Sequence, residues 1–181
     1  MVGPFGRRHK ALRALWYVVE ATLFRLPLRR TDVWRISLLR LFGASIGHRC
    51  LVRRTVQVAI PWHLELGDRV VLGDRVIVYC LGRISIGSDT IVSQGAHLCA
   101  GDHDFDHPDR PLRRVPITIG SNCWIAAEAF VGPGVEIGDG TILGARAVAV
   151  RDLPGWTVCV GVPAKPRRRR TPPRSDEPGA P

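Results

Sequence analysis

Ile117-Thr118-Ile119-Gly120-Ser121-Asn122-Cys123-Trp124-Ile125-Ala126-Ala127-Glu128-Ala129-Phe130-Val131-Gly132-Pro133-Gly134-Val135-Glu136-Ile137-Gly138-Asp139-Gly140-Thr141-Ile142-Leu143-Gly144 repeats itself every six residues. Positions 119, 125, 131, 137, 143 and 149 are Ile, Ile, Val, Ile, Leu and Ala. Four residues after each of the first five stand Cys123, Ala129, Val135, Thr141 and Ala147, all small or β-branched. An α-helix would need an apolar period of 3.6. Six residues instead suffice for a short strand and a turn, after which the chain changes direction. The inward aliphatic then stacks on its equivalent one coil later, and no coil buries its apolar face without neighbours. An all-β solenoid is therefore expected in preference to a sandwich with evenly spaced turns.

Outward from this stretch the same step recurs at Leu66, Leu72 and Val78, and at Ile86, Val92 and Leu98. Its interruptions mark inserted loops. The largest lies between 98 and 119 and holds Gly101-Asp102-His103-Asp104-Phe105-Asp106-His107. Glycine follows many of the aliphatics, as in Ile46-Gly47, Leu66-Gly67 and Ile119-Gly120. The expectation is that it supplies a tight turn at positive φ.

Before the repeats, residues 9–26 are rich in helix formers, with Leu12, Leu15, Val19, Thr22, Leu23 and Leu26 near one helical stripe and Pro27 as the stop. A second short helix is expected over Trp34–Phe42, ended by Gly43. Three segments follow: a helical, basic leader over 1–43, the β-helix over 44–162, and a Pro-rich basic tail over 163–181, with four consecutive arginines at 167–170, expected to be disordered.

The net charge of +10 sits at the ends. Residues 1–40 carry nine Arg/Lys against Glu20 and Asp32, residues 163–181 carry six against Asp176 and Glu177, and the body between is nearly neutral. A nucleic-acid enzyme would more often carry its basic charge on the folded body, so no nucleic acid is expected as partner. Five cysteines without a CxxC pair fit neither a zinc cluster nor a disulfide scaffold, and a reducing cytoplasm is the simplest account. No run of about 18 apolar residues suggests a membrane span, and no signal-peptide pattern is seen at the start. The leader packs on the main domain or, since basic residues flank its Trp16-Tyr17 stripe, touches a membrane surface from the cytoplasmic side.

Six histidines are available as bases or ligands. His9 lies in the basic leader, His48 in an early turn and His63 before a repeat; His97 falls between two inward positions and so faces out. His103 and His107 share the long loop, where functional residues concentrate.

At these residues the chain resembles the hexapeptide-repeat acyltransferases, and among them the colanic acid biosynthesis O-acetyltransferase group. The resemblance rests on Trp34-Arg35 through Ala44, Ser93-Gln94-Gly95, Leu98-Cys99, Asp102-His103-Asp104 and Pro116 through Gly120. It continues through Trp124-Ile125-Ala126-Ala127, Val131-Gly132-Pro133-Gly134 and Gly161-Val162-Pro163-Ala164, and spans roughly residues 9–167. It implies a left-handed parallel β-helix, a homotrimer with each site in a cleft between two subunits, acetyl-CoA as co-substrate, and a sugar hydroxyl of an exopolysaccharide precursor as acceptor. It places the general base at His103 and the pantetheine arm along backbone near Ala127 and Ala145, with Trp124 beside the same channel. Arg151 is a candidate for the CoA phosphates. Asp102 departs from the small hydroxyl residue common in relatives. No metal is expected. A γ-carbonic-anhydrase-like zinc enzyme, drawing on His63, His97, His103 and His107, is the alternative on this fold, and a non-catalytic sugar-binding β-helix is another.

Overall fold

A computed structural model describes residues 6–26 and 32–172. From Ser45 the chain winds as a parallel β-solenoid whose strands stack into three faces. Face A stacks Ser45–Ile46, Leu64–Leu66, Ile84–Ile86, Ile117–Ile119 and Glu136–Ile137. Face B stacks Leu51–Val52, Val71–Leu72, Ile91–Val92, Trp124–Ile125, Ile142–Leu143 and Thr157–Val160. Face C stacks Gln57–Val58, Ile77–Tyr79, His97–Cys99, Phe130–Val131 and Val148–Ala149. The six-residue period is the distance from one face to the next. The inward residues Leu72, Leu98, Ile125 and Leu143 are wholly buried, and so are the small second-row residues Cys123, Ala129, Val135, Thr141 and Ala147. Each buried aliphatic contributes on the order of 1.5–3 kcal/mol.

Register explains the breaks in the repeat. Leu64 pairs with Ile84, twenty residues on, and Ile84 with Ile117, thirty-three on. Thr118 pairs with Glu136, eighteen on, which is three hexapeptides with no remainder. All the surplus residues lie at one edge, where face C turns into face A. There stand the 3-10 turn Pro61–His63, the Cys80-Leu81-Gly82 corner, and the longest insertion. That insertion is an antiparallel hairpin, with Asp102–His103 paired to Leu112–Arg113.

The glycines after the aliphatics act otherwise than expected. Gly47, Gly67, Gly87, Gly120 and Gly138 are absent from the left-handed residues, which are instead other glycines, such as Gly95 and Gly140, and corner residues with side chains, such as Arg49, Arg69, Asp89 and Glu128. A Cβ on Gly67 would stand 2.6 Å from Ser88 N, and one on Gly87 2.5 Å from Ser121 N. These positions are glycine because the next coil's backbone passes too close for a side chain, not because φ is positive. The left-handed corners are held by a backbone ladder instead: Arg69 N donates to His48 O at 2.7 Å, Asp89 N to Asp68 O at 2.9 Å and Asn122 N to Ser88 O at 2.8 Å.

Open strand edges at both ends of a solenoid must be closed. Helix α1 (Arg7–Ala21) and helix α2 (Asp32–Leu41) close the first coil. Trp16 Nε1 donates to Val58 O and Glu20 Oε1 accepts from Val58 N, both at 2.6 Å, so α1 pairs both backbone groups of the face C edge. From α2, buried Arg35 donates to Val52 O on face B, and Arg40 to Ile46 O on face A. Trp16 packs at 5.8 Å on Phe24 and 5.0 Å on Phe42. The Trp16 side of α1 therefore faces the protein, not a membrane. The expected aliphatic stripe is not the buried one: Leu12, Leu15, Leu23 and Leu26 are all exposed. The aromatic side wins because it buries more area and satisfies Val58. Pro27 lies outside the described residues.

The last coil is closed by residues expected to be disordered. Lys165–Arg169 is a strand pairing antiparallel with Thr157–Val160, which corrects the reading of the tail from 163. Arg170 donates to Asn122 O at 2.8 Å and Gly140 O at 3.0 Å, and its guanidinium lies over Trp156. An unpaired edge on face B and open corner carbonyls favour order where composition suggested none. Residues 173–181 lie outside the described residues.

Candidate active site

The hairpin presents His103 to solvent at the edge between faces C and A. Its Nδ1 lies 2.6 Å from Arg110 O. A carbonyl oxygen only accepts, so Nδ1 carries the proton and Nε2 is left with its lone pair. Arg110 sits in the left-handed region, at φ 42°, a conformation costly for a residue with a Cβ. That turn aims its carbonyl back at His103. Asp102 faces Arg113 across the hairpin and pairs with it at 3.4 Å, which accounts for the acid at that position. His107, at the tip, uses Nδ1 to accept from Asp109 N at 3.2 Å.

Trp124, Ala127 and Ala145 gather at a different edge, between faces B and C. Ala127 and Ala145 occupy equivalent corners one coil apart, linked through Arg146 N donating to Ala127 O at 2.9 Å. Trp124 lies half exposed on the outside of face B and donates from Nε1 to Ser93 Oγ at 2.8 Å, leaning toward the Ser93-Gln94-Gly95 corner below. Arg151 is exposed on the other edge, after Val148–Ala149, beside Asp152, whose carboxylate accepts from Glu136 N. So one protomer brings Trp124, Ala127 and Ala145 together, and sets His103 and Arg151 apart from them by the width of face C. Six residues at about 3.3 Å each bound that width at roughly 20 Å.

Two of the other histidines are hydrogen-bonded elsewhere. His63 Nδ1 reaches Cys80 O and Leu81 O at 3.1 and 3.0 Å, and His9 Nε2 accepts from Trp62 Nε1 at 2.7 Å. His97 stands on the outside of face C, edge-on to Tyr79 and Phe130, and desolvation holds its pKa below the ordinary value. Among the described residues no three of His, Cys, Asp and Glu converge as a metal site. The five cysteines are free thiols and four are buried; burial pushes Cys80 up to about 12. A groove of about 640 Å³ runs between α1 and face C past Arg13, Tyr17, Ile77 and Tyr79. Neither the hairpin nor the B–C edge lines it.

Residues 116–149 match the bacterial transferase hexapeptide family of six repeats. Over 156 residues, 86% of each chain, the sequence is 45% identical to an Escherichia coli K12 protein named for colanic acid biosynthesis as acetyltransferase WcaF. The chain belongs to the hexapeptide-repeat acetyltransferases. Solved structures agree on the fold. A maltose O-acetyltransferase from Clostridium difficile 630 superposes with a TM-score of 0.84 at 22% identity, covering 92% of this chain and 90% of that one. A hexapeptide-repeat acetyltransferase from Vibrio cholerae, complexed with acetyl coenzyme A, gives 0.84 at 20% identity over 95% and 94%.

Two residues of the candidate site were not legible in the sequence. Arg110 acts through a backbone carbonyl, which any residue carries, so its identity gave no signal. Ser93 was quoted for the resemblance, but nothing in its spacing ties it to Trp124, thirty-one residues on.

Proposed function

We propose that the enzyme moves acetyl from acetyl-CoA to a sugar hydroxyl in exopolysaccharide assembly, as a homotrimer in the cytoplasm, with His103 as general base. The observation that carries the base is the Nδ1 contact to Arg110 O, which leaves Nε2 exposed and ready to accept a proton. A hydroxyl is scarcely ionised near neutral pH, and a positioned base contributes about 10²–10⁴-fold. The acceptor oxygen attacks the thioester carbonyl as its proton passes to His103 Nε2. When the C–S bond breaks, the imidazolium returns that proton to the leaving sulfur, giving CoA and the sugar ester. Backbone N–H groups are the natural donors to the tetrahedral oxyanion.

Assembly is supported by the surface of each face. Outward residues on face A are polar: Ser45, Glu65, Ser85, Thr118 and Glu136. Those on face B run Leu51, Val71, Ile91, Trp124, Ile142 and Val158, and face C, after Gln57 in the first coil, shows Ile77, His97, Phe130 and Val148. Two different apolar faces on one protomer suit a closed heterologous ring. A ring that turns face C of each copy toward its axis sets the C–A edge of one copy, with His103 and Arg151, against the B–C edge of the next, with Trp124, Ala127 and Ala145 lining the pantetheine channel. Arg151 then meets the CoA phosphates from the neighbouring side.

The deciding experiment is CoA release against a panel of nucleotide- and lipid-linked sugars, with the mass of each product measured. An acetylated sugar formed by the wild type and not by His103→Ala supports the reading. Acceptor-dependent release undiminished in His103→Ala overturns the base.

A further inference from the structure

The acetyltransferase's N-terminal helices do more than close the first coil. A helix that packs one side on a domain ordinarily shows a polar opposite side. Here, with Trp16 wholly buried, the outer surface still presents Leu12, Leu15, Leu23 and Leu26, with Leu15 55% exposed. Half-exposed Trp34 of α2 joins the Leu23 end of this surface, donating from Nε1 to Leu23 O at 3.2 Å. Its charge has one sign. Arg7, Arg8, Lys10 and Arg25 are exposed around it, and Glu20, the one acid among residues 6–26, is turned inward to Val58 N.

We infer that this surface is a docking face for an anionic lipid bilayer, with the aliphatic residues entering the headgroup boundary and the cations meeting lipid phosphates. A second copy of the face is a poor occupant, because pairing would set four cations against four. No helix among the described residues is long and apolar enough to cross a membrane, so the contact is peripheral. The inference rests on the proposed trimer only for its strength. In a ring of three parallel solenoids the first-coil ends lie together, so three weak contacts act as one.

The test uses the full chain and vesicles of phosphatidylcholine and phosphatidylglycerol, about two to one, at low salt. The wild type should co-sediment with these and at least about 10-fold less with phosphatidylcholine alone. Leu12→Glu with Leu15→Glu should lose about 10-fold in vesicle affinity while keeping the melting temperature and the CoA-release rate on a soluble acceptor. Arg167→Gln with Arg169→Gln, at the opposite end of the solenoid, should sediment like the wild type. Wild type that ignores anionic vesicles overturns the inference, as does a Leu12/Leu15 variant that binds them equally. Loss of oligomer mass in that variant, read by light scattering, would also overturn it by showing that another copy covers the face. Loss of vesicle binding with CoA release intact separates this face from the catalytic reading.

Discussion

His103 is oriented by a carbonyl, and that sets what its replacement should do. His103→Ala removes the proposed base without touching the stacked core. Turnover should fall about 10²-fold or more, with the acetyl-CoA dissociation constant within a few-fold and the melting temperature unchanged. His107→Ala should be much milder, because its Nδ1 only closes the hairpin tip. Arg110 offers a sharper check. Arg110→Pro fixes φ near −65°, against 42° in the structure, and swings the carbonyl off Nδ1. Turnover should drop by about 10-fold or more with folding retained, whereas Arg110→Gly, which keeps the left-handed turn at less cost, should stay near wild type. Equal turnover in both variants would separate His103's activity from the Arg110 contact. Stability at this scale is decided by close approach. Gly67→Ala places a methyl 2.6 Å from Ser88 N, and chemical denaturation should show a loss of at least about 1–3 kcal/mol.

Single elements reach the site by holding the coils that carry it. Helix α1 satisfies the face C edge through Trp16 and Glu20. Burial pushes the Glu20 carboxyl above its ordinary value, outweighing the opposing pulls of the Val58 N–H and of Arg25. A carboxyl whose pKa is higher in the folded state favours folding while protonated. That contribution is lost as pH rises through the ordinary value toward the raised one, and ionised Glu20 still opposes α1 docking at neutral pH. Glu20→Gln keeps an acceptor for Val58 and removes the charge. Thermal melts should show the variant more stable than wild type near pH 7 and the gap closing near pH 4. A lower melting temperature near pH 7 would show that the charge helps hold the helix. Trp16→Ala should cost about 3–5 kcal/mol, since it opens a cavity and orphans the Val58 carbonyl.

In the proposed trimer the two halves of the site would meet between subunits. Light scattering should return about three times the 20.0 kDa chain mass, and a stable active monomer would be incompatible with a split site. Mixing is the stronger assay. His103→Ala lacks the proposed base, and Ala145→Trp would block the proposed channel on the other edge. Each alone should be inactive. Refolded together in equal amounts, chance pairing restores an intact edge from each at roughly a quarter of the interfaces, and CoA release should recover to that fraction. No recovery would mean that both edges act within one chain.

The sequence by itself determined whatever depends on local period and composition. Aliphatics at 119, 125, 131, 137 and 143 declare a six-residue step from face to face, because each must meet its equivalent in the coil above and below. The gap from 98 to 119 announces an insertion, and His103 within it is the natural base once the family resemblance is added. Tertiary structure decided what depends on the neighbouring coil or on a particular atom. The glycines are forced by backbone one coil away, invisible along the chain, so turn chemistry suggested the wrong reason. Both sides of α1 are apolar, and only the position of Val58 and the area of Trp16 and Phe24 settle which side is buried. The arginines at 167–170 read as a solvated tail until an open strand edge and the ring of Trp156 give them partners. The wide spacing of His103 from Ala127 and Ala145 follows from winding six residues per face, which places turns that are close in sequence on different edges of the prism.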